Sequence, residues 1–335
     1  MNITNRRYLS VAVILVCFLI TGCKSDPKKV ITVDPLKEEY TRRKVPKFDQ
    51  ESAYTYVAKQ VDFGPRYPGS EAHRELIDYL VSELSQYTDK VIEQDFKVDF
   101  MDMSDVDATN IIAIINPDRQ RRVLLAAHFD TRMIAEKDDD PSMVDKPILG
   151  ADDGASGVGV LLEIAKKIKE NGIDIGVDIV LFDAEDNGTN GSEDEWCLGA
   201  KYWAQNPHVE NYKADFGILL DMVGAEGAEF GKEAYSMEYA GNYVNKIWNL
   251  ASNMNASNYF KDINVGGVTD DHKFVIQYRN IPMLDIINMS PNHQKNFDDH
   301  HHTHDDNMDI IDKSTLRAVG KVVLATIYNY NNRTL

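Results

Sequence analysis

The chain has 335 residues, of which 43% are hydrophobic and 27% charged, and its formal net charge is −18. That apolar share is enough for a packed core and sets intrinsic disorder aside. The acidic balance argues against a nucleic-acid partner, because phosphate backbones are met by clustered Lys and Arg.

At the N-terminus, Arg6-Arg7 precede an apolar run from Tyr8 to Ile20, followed by Thr21-Gly22-Cys23. The run is shorter than the about 20 residues of a membrane-spanning helix, so it predicts an export signal. The small residues before Cys23 resemble a bacterial lipobox, which implies cleavage after Gly22 and a lipid on the Cys23 thiol. Residues 1–22 are then a lipoprotein signal peptide, and residues 23–47, rich in Lys, Pro, Asp and Glu, form a tether. An exported lipoprotein of the cell envelope, periplasmic or outer-membrane associated, is expected. Removing residues 1–22 leaves Cys23 and Cys197, so no disulfide forms within a mature chain, and Cys197 reads as a buried small hydrophobe.

The catalytic domain is expected over residues 48–335. Ala53, Val57 and Val61 line one helical face, and Ser70 caps a second helix buried through Leu76, Leu80 and Leu84. Gly64-Pro65-Arg66-Tyr67-Pro68-Gly69 is the turn-rich connector between them. Short apolar runs then predict strands covered on both faces: Ile111 to Ile115, Val123 to Ala127, Val177 to Phe182, Phe216 to Leu220 and Met283 to Ile287. Val158, Leu161, Leu162, Ala165 and Ile168 make a helical stripe, and Leu316, Val319, Val323 and Ile327 make another after a Ser314 cap. This alternation predicts one α/β domain with a mixed, mostly parallel central sheet and helices on both faces.

In such sheets ligands collect beyond the carboxyl ends of the strands. His128-Phe129-Asp130, Asp183-Ala184-Glu185-Asp186 and Asp221 follow three of the predicted strands, and Asp152-Asp153-Gly154 opens a helix. Asp152 or Asp153 alone could be a cap. Carboxylates converging from several strand ends need a cation or shared protons, and Asp, Asp or Glu, and His suit Zn²⁺ with an open coordination position. A metal-free acidic cleft is the alternative. The tract His300-His301-His302-Thr303-His304 offers the histidine, although such a tract alone can bind metal loosely on a surface loop.

Together GADDGASGVGVLLEIA, AHFDTR, FDAEDNG, LLDMVG and HTHDDN resemble the zinc aminopeptidase superfamily of exopeptidase-like α/β proteins, and within it the glutaminyl-peptide cyclotransferases, or glutaminyl cyclases, of bacterial lipoprotein or secreted type. The resemblance runs from about Phe48 to the C-terminus. It implies Asp153, Asp186 and His302 as ligands of one Zn²⁺ per chain, with His300 and His304 as solvated flanks. Glu185 matches the general base and acid, and Asp221 and Asp270 match a hydrogen-bonded pair of carboxylates. From spacing alone, Asp270-Asp271-His272 reads equally well as a loop turn. Trp196 and Thr269 fall in the substrate pocket, as does His301, which stands where the family has tryptophan and brings a group that titrates near neutrality. Asp186 replaces the glutamate usual in mammalian-type members. His128 matches a second metal ligand of the aminopeptidases, retained in cyclases that bind one metal.

The resemblance therefore implies cyclisation of N-terminal glutamine of peptides and proteins to pyroglutamate, with loss of ammonia. The alternative is a zinc aminopeptidase with one or two metals, using His128, Asp153, Asp186, Asp221 and His302. A binding lipoprotein on a dead enzyme fold is a third reading, opposed by the survival of Glu185 and the ligands. Nothing in the sequence specifies an oligomeric state; a monomer is expected.

Overall fold

Four apolar runs become the parallel strands of a six-stranded sheet. In the computed structural model, which describes residues 41–289 and 297–335, these strands are β3 (Arg122–His128), β4 (Gly176–Phe182), β5 (Phe216–Asp221) and β8 (Met283–Ile287), after β1 (Lys90–Phe100) and β2 (Met103–Ile115). Their order is β1-β2-β4-β3-β5-β8. β3 pairs in parallel with β4 and β5, and β5 with β8. β2 runs antiparallel to β4 and to β1. The mixed, mostly parallel sheet expected from sequence is thus formed, with a long hairpin added at one edge. A separate pair, β6 (Phe230–Lys232) and β7 (Phe260–Asn264), lies outside this sheet.

Helices cover both faces. Alternate strand residues divide between two apolar clusters: Val123, Leu125 and Ala127 join one, Leu124 and Ala126 the other. The first is filled from α1 (Gln50–Val61), α2 (Glu71–Tyr87), α3 (Ala155–Asn171), α5 (Ala234–Asn253) and α7 (Lys313–Asn331). The second is filled from α4 (Leu198–Gln205) and α6 (Asp271–Arg279), with Trp203 and Phe274 as large members.

Ser70 caps α2 as expected, its Oγ accepting from the His73 N–H at 3.1 Å. At α7 the cap is Asp312 and not Ser314. The extended Asp312 turns both carboxylate oxygens to the helix, one to the Ser314 N–H at 3.0 Å and one to that of Thr315 at 3.2 Å, which puts Ser314 inside the first turn. A carboxylate also suits the positive end of the helix dipole.

The compact unit starts before the expected boundary at residue 48. Arg43 donates to the Asn171 carbonyl at 3.2 Å and pairs with Asp174 at 2.8 Å, and its N–H reaches Asn332 at 2.8 Å. The signal peptide, Cys23 and most of the tether lie outside the described residues. No helix among the described residues is long and apolar enough to cross a membrane.

Candidate active site

β3, β4, β5 and β8 all point their carboxyl ends to one rim, and the loops leaving them carry the polar residues. His128 ends β3, Asp183 follows β4, and Asp221 ends β5. Asp153 arrives just before α3, whose Gly157 brings that helix onto β5: a Cβ there would lie 2.3 Å from the Leu220 carbonyl oxygen. Several rim residues have left-handed backbones, namely Ala184, Cys197, Met222 and His302. Such conformations are costly for residues other than glycine and cluster where a surrounding scaffold enforces them.

Asp153 is the centre. One of its oxygens lies 3.1 Å from His128 Nε2, the other 3.7 Å from His302 Nε2. His128 Nε2 also meets Asp221 Oδ1 at 3.0 Å, and His302 Nε2 meets Asp186 Oδ1 at 3.0 Å. Asp186 Oδ2 is buried with no hydrogen-bond partner. An orphaned carboxylate oxygen beside a histidine and a second carboxylate is a donor set that fits zinc. Asp153, Asp186 and His302 are brought together as expected, and the shorter Asp186 arm reaches His302 Nε2.

Neither Asp152 nor Asp153 caps α3 through its side chain. Asp152 Oδ1 instead accepts from the Gly224 N–H at 2.6 Å and the Ala225 N–H at 3.1 Å, and Oδ2 meets His300 Nε2 at 3.1 Å. His300 is therefore not a solvated flank; it braces the loop that presents Asp153. Nor is His304, whose Nδ1 lies 2.8 Å from Asp138 Oδ2. That contact ties the acidic run Asp138-Asp139-Asp140 to the histidine tract.

Glu185, Asp221 and Asp270 line one cavity of about 380 Å³, with Trp196, Thr269 and His301 in its wall. Burial pushes the Glu185 carboxyl well above its ordinary range; His128 opposes this, and Asp186, Asp270 and Asp271 add to it. Asp221 is raised to about 8, again chiefly by burial, against the hydrogen bond to His128. For Asp153 burial acts in the same sense but is outweighed by His128, His301 and His302, so its carboxylate stays below the ordinary range. Burial lowers His302, yet Asp186 and Glu136 lift it to about 9.

Asp270 does cap α6, its Oδ1 accepting from the Asp271 N–H at 2.5 Å. Its Oδ2 remains buried without a partner in the cavity wall, so the turn role and the site role coexist. Asp270, His272 and Asp285 bring side-chain atoms within 4.8 Å of one another, and His272 Nε2 meets Glu233 Oε2 at 3.2 Å. Burial and the neighbouring Asp270 push Asp285 well above the carboxylate range. Asp285 was missed from sequence, although an aspartate inside the buried run Met283–Ile287 was a signal.

His301 corrects an expectation. It is 8% exposed, its Nδ1 accepts from Lys137 Nζ, and its ring stacks on His302 at 3.7 Å and meets Phe297 at a tilt, 4.5 Å between ring centres. Burial, helped by His302, lowers its pKa well below the ordinary value, so it is a neutral wall and does not titrate near pH 7. Phe297 supplies aromatic surface that the sequence reading overlooked. Trp196 lies parallel to His302 at 6.2 Å, and Gly188 admits it: a Cβ there would sit 2.5 Å from the indole. Cys197 is buried, as expected, but not inert, since its Sγ donates to Glu185 Oε1 at 3.1 Å. Burial, then Glu185, raises its thiol well above the usual range, which excludes a thiolate nucleophile.

Further support comes from residues to which the sequence reading gave no role in the site. Asp130 accepts from the N–H groups of Glu185 and Asp186 at 3.0 and 3.3 Å. Asp306 does the same for Asp152 and Asp153 at 2.7 and 3.1 Å. Arg66, fully buried, donates to the carbonyls of Leu149 and Gly150 at 2.6 and 2.8 Å, so the turn-rich connector locks the loop ahead of Asp153.

An open α/β sheet with this rim of carboxylates and histidines is the framework of a metal-dependent exopeptidase-like enzyme, and the model of peptidase family M28 matches residues 110–327. The chain belongs to that family. Among solved structures it resembles a glutaminyl cyclase from Tannerella forsythia, at 48% identity and TM-score 0.83 over 85% of this chain and 99% of that one. A Zn-dependent exopeptidase from Parabacteroides distasonis is similar at 47% identity and TM-score 0.84, covering 85% and 100%. The glutaminyl-peptide cyclotransferase of Bos taurus is 25% identical over 294 residues, 79% of this chain and 78% of that protein.

Proposed function

We propose that the chain is a glutaminyl-peptide cyclotransferase that converts N-terminal glutamine of peptides and proteins to pyroglutamate. The observation that carries this is Asp270, whose buried, unpartnered Oδ2 shares one cavity with Glu185 and Asp221. A buried carboxyl oxygen needs a donor, and the α-amine of a bound glutamine is one. Similarity to glutaminyl cyclases over most of both chains supports the same reading.

Asp153, Asp186 and His302 would hold one zinc ion, which supplies a Lewis acid for an amide carbonyl. The α-nitrogen forms a bond to the side-chain amide carbon, and the bond from that carbon to its own nitrogen breaks. Glu185 takes the proton from the α-amine and delivers it to the departing ammonia; its raised proton affinity suits both transfers. Asp221 and Asp270 orient the two nitrogens, which makes the step intramolecular. Trp196, Phe297 and His301 enclose the ring and keep bulk water from competing.

A short peptide beginning with Gln should lose ammonia, while peptides beginning with Leu or Ala stay intact. Asp270→Ala should abolish the product with zinc retained. Release of free Leu or Ala, with no pyroglutamate from Gln peptides, would sink this reading. One observation favours that second reading: Asp153 directs one oxygen to His128 and the other to His302, the arrangement of a carboxylate between two cations. Metal analysis after dialysis separates them, with one equivalent, lost in His302→Ala, expected for the cyclase and two for an aminopeptidase.

Export and a lipid on Cys23 belong to the same proposal and rest on the run Tyr8 to Ile20 and the residues before Cys23. Labelling with a fatty acid that is lost in Cys23→Ser would support the anchor; an unlabelled mature chain would exclude it.

A further inference from the structure

Two neighbouring histidines compete for one role. Nε2 of His301 lies 3.8 Å from Asp153 Oδ2, and Nε2 of His302 lies 3.7 Å from the same oxygen. Distance to Asp153 does not choose between them. The bonds made at the far side of each ring do. A neutral imidazole has one N–H and one lone pair, so what faces Nδ1 fixes what Nε2 offers.

Glu136 faces Nδ1 of His302 at 2.8 Å. A carboxylate only accepts, so a proton stays on Nδ1, and once the ring gives up the proton that Nε2 shares with Asp186 at 3.0 Å, as metal binding requires, the lone pair released is the one facing Asp153 and Asp186. Lys137 faces Nδ1 of His301 and donates to it. The lone pair of His301 is thereby used at Nδ1, and its Nε2 carries the proton. Consecutive residues of one loop thus give adjacent rings opposite tautomers. That loop is itself fixed in register: Arg132 Nε donates to Glu136 Oε2 at 2.7 Å, the Lys137 N–H reaches the His302 carbonyl at 3.4 Å, and Asp138 accepts from the His304 N–H at 3.0 Å.

We propose that Glu136 and Lys137 are positioning residues that select His302, and not His301, as the metal-binding histidine, an inference that rests on the zinc reading given above. Carboxylate partners of metal-bound imidazoles orient the ring and raise its basicity, and losing one typically weakens metal binding about 10- to 100-fold.

The tautomers are read directly in zinc-loaded, ¹⁵N-labelled protein from two-bond proton–nitrogen correlations of the rings, assigned with His301→Gln and His302→Gln. His302 should carry its proton on Nδ1 with Nε2 bound to metal, and His301 its proton on Nε2. Zinc on His301, or a proton on His301 Nδ1, would overturn the inference without any substitution at Glu136. In chelator competition, Glu136→Leu should bind zinc about 10- to 100-fold more weakly. Glu136→Gln, whose amide oxygen still accepts, should recover most of the loss. Lys137→Met should leave zinc affinity within a few-fold while a Nδ1 proton appears on His301. Undiminished affinity in Glu136→Leu overturns the inference alone; a native protein that takes up no zinc overturns the metal reading and this inference together.

Discussion

Glu185 and Asp186 are neighbours in sequence with separate duties. Asp186 turns to His302, whereas Glu185 faces the cavity and takes a hydrogen bond from Cys197. Glu185→Gln keeps the shape and removes the proton shuttle, so turnover of Gln peptides should fall by about 10²-fold or more with zinc still bound. Loss of zinc in that variant would make Glu185 a ligand. The principal residues were legible in sequence because each sits at the end of an apolar run or inside a short motif. Glu136 and Lys137 were not, because Ala135-Glu136-Lys137-Asp138 reads as a solvated charged loop until the fold brings the histidine tract onto it. His301 was legible as a departure but not as a neutral group, since its protonation depends on Lys137 and on burial.

Asp153 precedes helix α3 and Asp221 ends strand β5, two elements in direct contact whose spacing Gly157 sets. Gly157→Ala puts a methyl group against the Leu220 carbonyl and must separate the two elements. We expect a loss of about 1–3 kcal/mol in urea unfolding, typical of overpacking. Zinc affinity should weaken as Asp153 shifts. A variant unchanged on both counts would show that α3 tolerates displacement. The four parallel strands were readable because strands covered on both faces are continuously apolar. β1 carries a different signal: Phe96, Val98 and Phe100 are buried and alternate with exposed Lys97 and Asp99, the mark of a half-buried edge strand that a search for continuous apolar runs passes over. The α7 cap was misplaced by two residues because Asp312 and Ser314 are both good caps, and the chain direction before the helix decides between them.

Across the molecule, the buried acids couple folding to protons. Asp221 moves from an ordinary 3.8 to about 8, and Glu185, Asp186, Asp271 and Asp285 shift the same way, each chiefly through burial. Above about pH 4 the folded, metal-free chain therefore holds protons that the unfolded chain has released, and stability falls as pH rises through about 8. His302, raised to about 9, adds to the loss over its own range. Thermal melts of metal-free protein should show Tm dropping from pH 5 to pH 9. Zinc needs deprotonated ligands, so its stabilising effect should be larger at pH 8 than at pH 6. A metal-free Tm that rises over this interval would contradict protonated acids in the fold. The order of the strands has a temporal side as well. β3 lies between β4 and β5, and His302 comes after β8, so the proposed zinc ligands meet only when parts of the chain far apart in sequence have paired, and such non-local contacts form slowly. In refolding, a zinc indicator should respond after tryptophan fluorescence has recovered. A chain cut short before residue 302 would keep Asp153 and Asp186 but lack the histidine proposed to join them, so on the zinc reading such a fragment should not capture metal tightly.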